Sequence, residues 1–320
     1  MKRSIFRFAT IVLSIYLCAA AAFARELIPV GRIIGLELST GTVTVAAFDD
    51  SFPAGRESGL QVGDRIVSID GIAIRCAEDV RNALRRSDGR VDMCVSREGR
   101  ETVISLEPEI TASGPKLGIY LKQGITGIGT VTYYDPETAR FGTLGHGVND
   151  GKGNLLPMAR GNVYGATIVS VQKGKAGAPG QLKGALSGSQ VLGTLSGNTA
   201  RGVFGTVPGG FPGAPMEVAT SGEVHTGSAT IRSTVSGDTP REYSVEILKI
   251  YPKDRPDGRN LLIRVTDPAL LEATGGIIQG MSGSPIIQDG KLVGAVTHVL
   301  VNDPTRGYGI FIENMLEAAG

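Results

Sequence analysis

Gly280-Met281-Ser282-Gly283-Ser284-Pro285 is the stretch on which the reading of this chain turns. A serine between glycines can hold its hydroxyl on a tight turn, where the N–H groups of Gly280 and Ser282 converge as an oxyanion hole. About 135 residues upstream lies Gly145-His146-Gly147, whose glycines leave the imidazole uncrowded. A base so placed can activate a hydroxyl. Ser282 is therefore the candidate nucleophile and His146 the candidate base. Ser284, also preceded by glycine, is a rival nucleophile. The third member of such a set is a carboxylate that orients the imidazole. Asp267, in Val265-Thr266-Asp267-Pro268, ends an apolar strand 15 residues before Ser282, and Asp150 follows His146 by four. Asp-Pro at a strand end is equally a helix-capping signal.

Working outward, the 320 residues hold 46 glycines and no tryptophan, and long helical periodicities are scarce. Short Val/Ile/Thr-rich runs broken by Gly, Asn, Asp and Pro predict strands joined by tight turns, in two domains. Lys2, Arg3 and Arg7 precede an apolar run from Phe8 to Ala22, and Ala22-Phe23-Ala24 offers small residues for signal peptidase. Residues 1–24 thus read as an export signal or, if retained, a membrane anchor. Their loss removes three positive charges and no negative ones, taking the net charge from +1 to −2. That balance gives no electrostatic case for nucleic acid as a partner. No two of the three histidines stand at metal-ligand spacing, so neither a metal nor another cofactor is expected. His298, within an alternating strand, reads as structural, and His225 as solvated. Cys76 and Cys94 could pair in an oxidising compartment or remain buried thiols.

Residues 27–109 form a first unit. The run Ser58-Gly59-Leu60-Gln61-Val62-Gly63-Asp64-Arg65-Ile66-Val67-Ser68-Ile69-Asp70-Gly71 leads through a Gly-Asp corner into a strand and a hairpin signal. A helix is expected from Glu78 to Arg86 with Val80, Ala83 and Leu84 on one face. This order resembles a PDZ domain, a module that captures extended peptides beside a strand. The resemblance implies a carboxylate-binding loop near Ile34, Gly35 and Leu36, with Val80 and Leu84 facing the peptide. Residues 110–116 read as a linker, and 117–320 as the catalytic domain.

The segment 274–316, running from Thr274-Gly275-Gly276 to Glu313-Asn314-Met315-Leu316, and the segment 127–150 around His146 resemble the stage IV sporulation protein B peptidase family. The resemblance implies a mainly β chain, a PDZ domain followed by a chymotrypsin-like double β-barrel, with His146, Ser282 and Asp267 as the catalytic set. It further implies an exported serine endopeptidase, secreted or held at the membrane by its N-terminus, that cleaves a protein of the cell envelope. In sporulating hosts the family acts in the intermembrane space of the forespore, cleaves itself near its N-terminus, and cuts a membrane-associated regulator to activate sigma-factor maturation. Here little sequence separates the export segment from the PDZ unit. A related envelope peptidase outside sporulation, or a non-enzymatic PDZ-containing scaffold, is the alternative.

Overall fold

The computed structural model describes residues 25–320; the expected export signal, with Cys18, lies outside the described residues. The described chain starts with β1 (Glu26–Pro29) and β2 (Ile33–Phe48). Next come α1 (Ala54–Glu57), β3 (Arg65–Ile69), β4 (Ile72–Ala73), α2 (Ala77–Arg86), β5 (Val91–Arg97) and β6 (Arg100–Leu106). A short hairpin of β7 (Glu109–Thr111) and β8 (Gly114–Lys116) leads into β9 (Ile119–Asp135). Then follow β10 (Arg140–Thr143), β11 (Arg160–Gln172), β12 (Gln181–Thr199), β13 (Gly202–Thr206) and β14 (Met216–Glu217). The last third holds β15 (Gly227–Ser233), β16 (Arg241–Ile250), β17 (Leu261–Val265), α3 (Pro268–Thr274), β18 (Pro285–Gln288), β19 (Lys291–Leu300), β20 (Asp303–Phe311) and α4 (Ile312–Ala319).

The strands close two rings, giving a mainly β, chymotrypsin-like double barrel with a PDZ unit attached. In the second, β15-β16-β17-β20-β19-β18 return on themselves because β18 pairs with β15. Alternation builds it: along β16, Tyr243, Val245 and Ile247 point inward while Glu242 and Ser244 face water. The first ring runs β2-β9-β10-β13-β12-β11 and closes where β11 pairs back onto β2. Ile34, Leu36, Leu38, Val131, Phe141 and Val163 fill it. A seam core joins the rings. There Leu27, Tyr133 and Phe204 from the first side meet Leu292, Ala295 and Ile310 from the second, with Ile312 and Met315 of α4 laid over them.

Two strands are shared between the first barrel and the PDZ unit. Ile33 to Ser39 of β2 pair with Thr130 to Gly124 of β9 inside the barrel, whereas Thr44 to Phe48 pair with Lys122 to Ile119 beyond it. The PDZ unit is thus an insertion between the first two barrel strands. The strands cross tightly, since a Cβ on Gly124 would stand 1.9 Å from the Leu38 carbonyl oxygen. Pairing therefore distributes residues differently from the expected PDZ unit at 27–109 and linker at 110–116. Residues 27–39 belong to the barrel, 110–116 fall in the β7–β8 hairpin, and β9 supplies the last strand of the PDZ unit. The PDZ core packs Val43, Val45, Ile66, Val80, Leu84 and Met93 against Leu117, Ile119 and Leu121.

Candidate active site

His146 sits at the end of β10, at the mouth of the first barrel. The chain reaches it through Leu144 and Gly145, at φ 69° and 67°. Left-handed backbone at a leucine is strained, and such strain persists only where the surroundings enforce it. A Cβ on Gly145 would come within 2.8 Å of Thr297 Cγ2, so the turn is pressed against β19 of the second barrel. His146 Nδ1–H donates to the Gly147 carbonyl at 2.9 Å, which leaves Nε2 with its lone pair free to act as the base. Burial pushes the imidazole below its usual value, against the opposing pull of that carbonyl.

Ser282 comes from the second barrel, on the turn before β18. The turn is held by Gly283 N–H to the Val296 carbonyl at 2.7 Å and Ser284 N–H to the Met281 carbonyl at 3.0 Å. Gly283 is at φ 97°, and a Cβ there would stand 2.0 Å from the Thr130 carbonyl oxygen, so only glycine fits. Thr130 of β9 clamps the turn from the other barrel. Its N–H donates to the Ser282 carbonyl at 3.2 Å and its Oγ1 to the Gly280 carbonyl at 2.8 Å. The N–H of Met281 is taken by Ile278, but those of Gly280 and Ser282 have no acceptor among the described residues. Two free donors flanking one satisfied donor is the arrangement an oxyanion needs. Ser282 Oγ donates to the Thr297 carbonyl at 2.7 Å. Ser284 is fully buried, donates to the Met281 carbonyl and shares a hydrogen bond with the Ser233 hydroxyl, which removes it as the rival nucleophile.

His146 and Ser282 line one cavity of about 460 Å³, together with Gly280, Gln279, Leu36, Ile125, Ile128 and His298. The His298 ring lies 5.1 Å from that of His146, centroid to centroid, and its buried Nδ1 has no partner among the described residues. Desolvation, then the neighbouring His146, push the His298 imidazole down to about 4. Neither expected carboxylate is hydrogen-bonded to His146. Asp267 caps α3, accepting from Leu270 N–H at 3.0 Å, and also accepts from Ser244 N–H at 3.3 Å. Asp150 accepts from Lys152 N–H at 2.8 Å and Asn154 N–H at 2.9 Å, and the Asn154 and Lys152 amides hold its carboxyl below the usual range.

A residue the sequence reading passed over supports the histidine loop. Asn198, at the end of β12, accepts from Val148 N–H and donates to the Val148 and Leu156 carbonyls, at 2.8 to 2.9 Å. Nothing local marks Asn198, because its partners lie 42 and 50 residues away. The expected peptide-binding residues divide. Val80 and Leu84 are in the PDZ core, but Ile34, Gly35 and Leu36 are barrel residues, paired with Gly165, Tyr164 and Val163 of β11. The structure places unpaired amides elsewhere. Leu117 and Gly118, just before β9, have backbone N–H groups with no acceptor among the described residues, and Gly118 is at φ 65°. Adjacent free amides in such a turn bind anions. Cys76 and Cys94 are free thiols.

A family model for the PDZ domain matches residues 52–97. A curated relative, the putative zinc metalloprotease R01501 of Rhizobium meliloti (strain 1021), is 34% identical over 87 residues. That match takes in 27% of this chain and 23% of the relative, so the chain spans under a quarter of the relative's length. Among solved structures, the inactive form of Rv3671c protease is 17% identical over 61% of this chain and 85% of its own, with a TM-score of 0.35. The active form from M. tuberculosis is 17% identical over 62% and 75%, with a TM-score of 0.38. A model described as SpoIVB peptidase S55 matches residues 114–316, more than half of the chain and both halves of the cavity. The chain belongs to the SpoIVB peptidase S55 family and is a serine endopeptidase.

Proposed function

We propose that the chain is an exported endopeptidase of the cell envelope, in which Ser282 attacks the peptide carbonyl and His146 is the base. Its substrate would be a membrane-associated regulatory protein, as the likeness to the sporulation signalling peptidase suggests. The observation that carries the catalytic assignment is the pair of N–H groups at Gly280 and Ser282, free among the described residues, on two residues that line the cavity holding His146. In the first step Ser282 Oγ exchanges the Thr297 carbonyl for His146 Nε2, which lines the same cavity. Nε2 takes the proton as Oγ bonds to the carbonyl carbon, and the two amides hold the oxyanion; losing one such donor costs about 10²–10³ in rate. The Gly147 carbonyl, bonded to Nδ1–H, steadies the imidazolium. His146 then gives the proton to the leaving amine, and water repeats the sequence on the acyl-enzyme.

A fluorophosphonate probe and a casein assay test this. Wild type should label and cleave, while Ser282→Ala should not label and should lose about 10⁴-fold or more in kcat/KM. Cleavage by Ser282→Ala at the wild-type rate would remove Ser282 from the mechanism. Regulator cleavage and self-cleavage are tested separately, by incubating the enzyme with membranes of its own host and sequencing the new N-termini.

A further inference from the structure

β9 runs from the PDZ unit to the nucleophile without a break. Ile119 and Leu121 lie in the PDZ core, Ile125 and Ile128 line the catalytic cavity, and Thr130 N–H reaches the Ser282 carbonyl. β2 covers one edge of this stretch from Ile119 to Thr130. The other edge meets β10 only from Val131 onward, and no strand among the described residues pairs with it before that. The N–H and C=O of Thr130 both point to this second edge, the first to Ser282 and the second toward Leu144 N–H. At the strand period of two, the backbone groups of Ile128 and Thr126 point the same way. Ile125, Gly127 and Ile128 line the catalytic cavity, and a Cβ on Gly127 would meet nothing within 4 Å, so the strand is reached from open space on its face there. At the upstream end of the strand stand the free amides of Leu117 and Gly118.

We propose that the free edge of β9 is a single substrate track that joins the PDZ unit to the active site. It would receive the C-terminal tail of a polypeptide, with the terminal carboxylate on the Leu117 and Gly118 amides and the scissile bond at Ser282. The inference rests on the peptidase reading above and adds the substrate's direction and register. A carboxylate that acts as an anchor here belongs to a chain terminus, so the bound chain must leave it toward Ser282. It then runs antiparallel to β9 and adds a strand to it. The distance from Gly118 to Ile128 is roughly 33 Å at about 3.3 Å per residue, which puts the cut about 8–12 residues from the substrate's C-terminus.

The test takes a bond that the wild-type enzyme cuts in casein and embeds it in peptides with roughly 4, 10 or 20 residues downstream, a series set by that span. Each peptide is made with a free carboxylate and with a C-terminal amide. The expected result is a kcat/KM maximum for the middle length as the free acid, falling about tenfold on amidation and for the short peptide. Cleavage indifferent to downstream length and to amidation, yet abolished in Ser282→Ala, would overturn the track while leaving the peptidase assignment intact. Failure of Ser282 to label with fluorophosphonate, with no cleavage of any peptide, would overturn both. N-methylation of the peptide amides facing Ile128 and Thr126 gives a second readout: it should raise KM for the free acid, and an unchanged KM would also sink the proposal.

Discussion

The two barrels meet in one cavity but are built differently. The second closes from its own strands, and most bonds that fix its nucleophile turn are within a few residues or to the neighbouring β19, with Thr130 of the first barrel adding two from across the cavity. The first is interrupted after one strand by the whole PDZ unit, and its histidine loop depends on partners far away in sequence. Leu144 is held in strained backbone, and Asn198 is the clasp on the loop. A nucleophile on a short turn draws most of its rigidity from local geometry, whereas a base on a loop must be held by tertiary contacts. The first barrel should therefore be the more sensitive to changes outside the cavity.

The largest effect expected from that contrast is at Asn198. Asn198→Ala removes one acceptor and two donor contacts and leaves the Val148 amide and the Leu156 carbonyl unpaired, while the Val148 carbonyl keeps the Leu156 N–H. Each such loss costs about 1–3 kcal/mol where the group is buried. The release of the loop should lower kcat by about 10–100-fold, with the displacement of His146 as the cause. Thermal unfolding and kcat measured together test it: Asn198→Asp, which keeps the acceptor for Val148 N–H, should recover part of the rate. An Asn198→Ala enzyme with wild-type kcat would show that the histidine loop holds itself.

Asp267 in the second barrel gives the opposite expectation. There the side chain caps α3, with Pro268 at the first helical position and Gly275 at φ 74° ending it. Asp267→Ala should cost about 1 kcal/mol of stability through the lost cap. Its kcat should stay within a few-fold of wild type, because no bond joins Asp267 to His146. Asp267→Asn or Asp267→Ser, which can still cap, should restore the stability. A rate loss of a thousandfold without unfolding would mean that Asp267 reaches the imidazole in the working enzyme and that α3 moves to allow it.

How much could be read in advance follows the same division. Ser282, its flanking glycines and the PDZ helix are legible because short-range patterns decide them. Val80, Ala83 and Leu84 fall on one helical face whatever the rest of the chain does. Asp267 is ambiguous in sequence, since Asp before Pro at a strand end serves a helix cap and a catalytic carboxylate equally well. The carboxylate-binding loop is displaced for a different reason. Ile33-Ile34-Gly35-Leu36 and Leu117-Gly118-Ile119 are alike as strings, and only pairing between strands some eighty residues apart decides which of them belongs to the PDZ unit. Non-local pairing of this kind leaves no mark on local composition.

The smallest expected effect concerns His298, the strand residue whose ring packs beside His146. Folding holds it with a pKa of about 4, against an ordinary value of 6.5. The groups acting on it are His146 from the first barrel and Arg259 and Asp257 from the loop before β17. Tyr308, its partner on β20, completes the surroundings. Between those two values the unfolded chain binds more protons at this site than the folded one, so stability rises with pH and levels off above about 6.5. Most carboxylates are ionised in both states above about pH 5, which leaves pH 5 to 6.5 as the window where the histidines dominate the slope. His298→Gln should flatten the rise of Tm in that window without abolishing it, because the His146 imidazole is lowered as well. The acid limb of kcat/KM should persist in His298→Gln, below pH 6.5, since that limb reports protonation of His146 itself. An unchanged Tm slope in His298→Gln would mean that the buried Nδ1 finds a proton and a partner in solution, and that the two rings part when the barrels breathe.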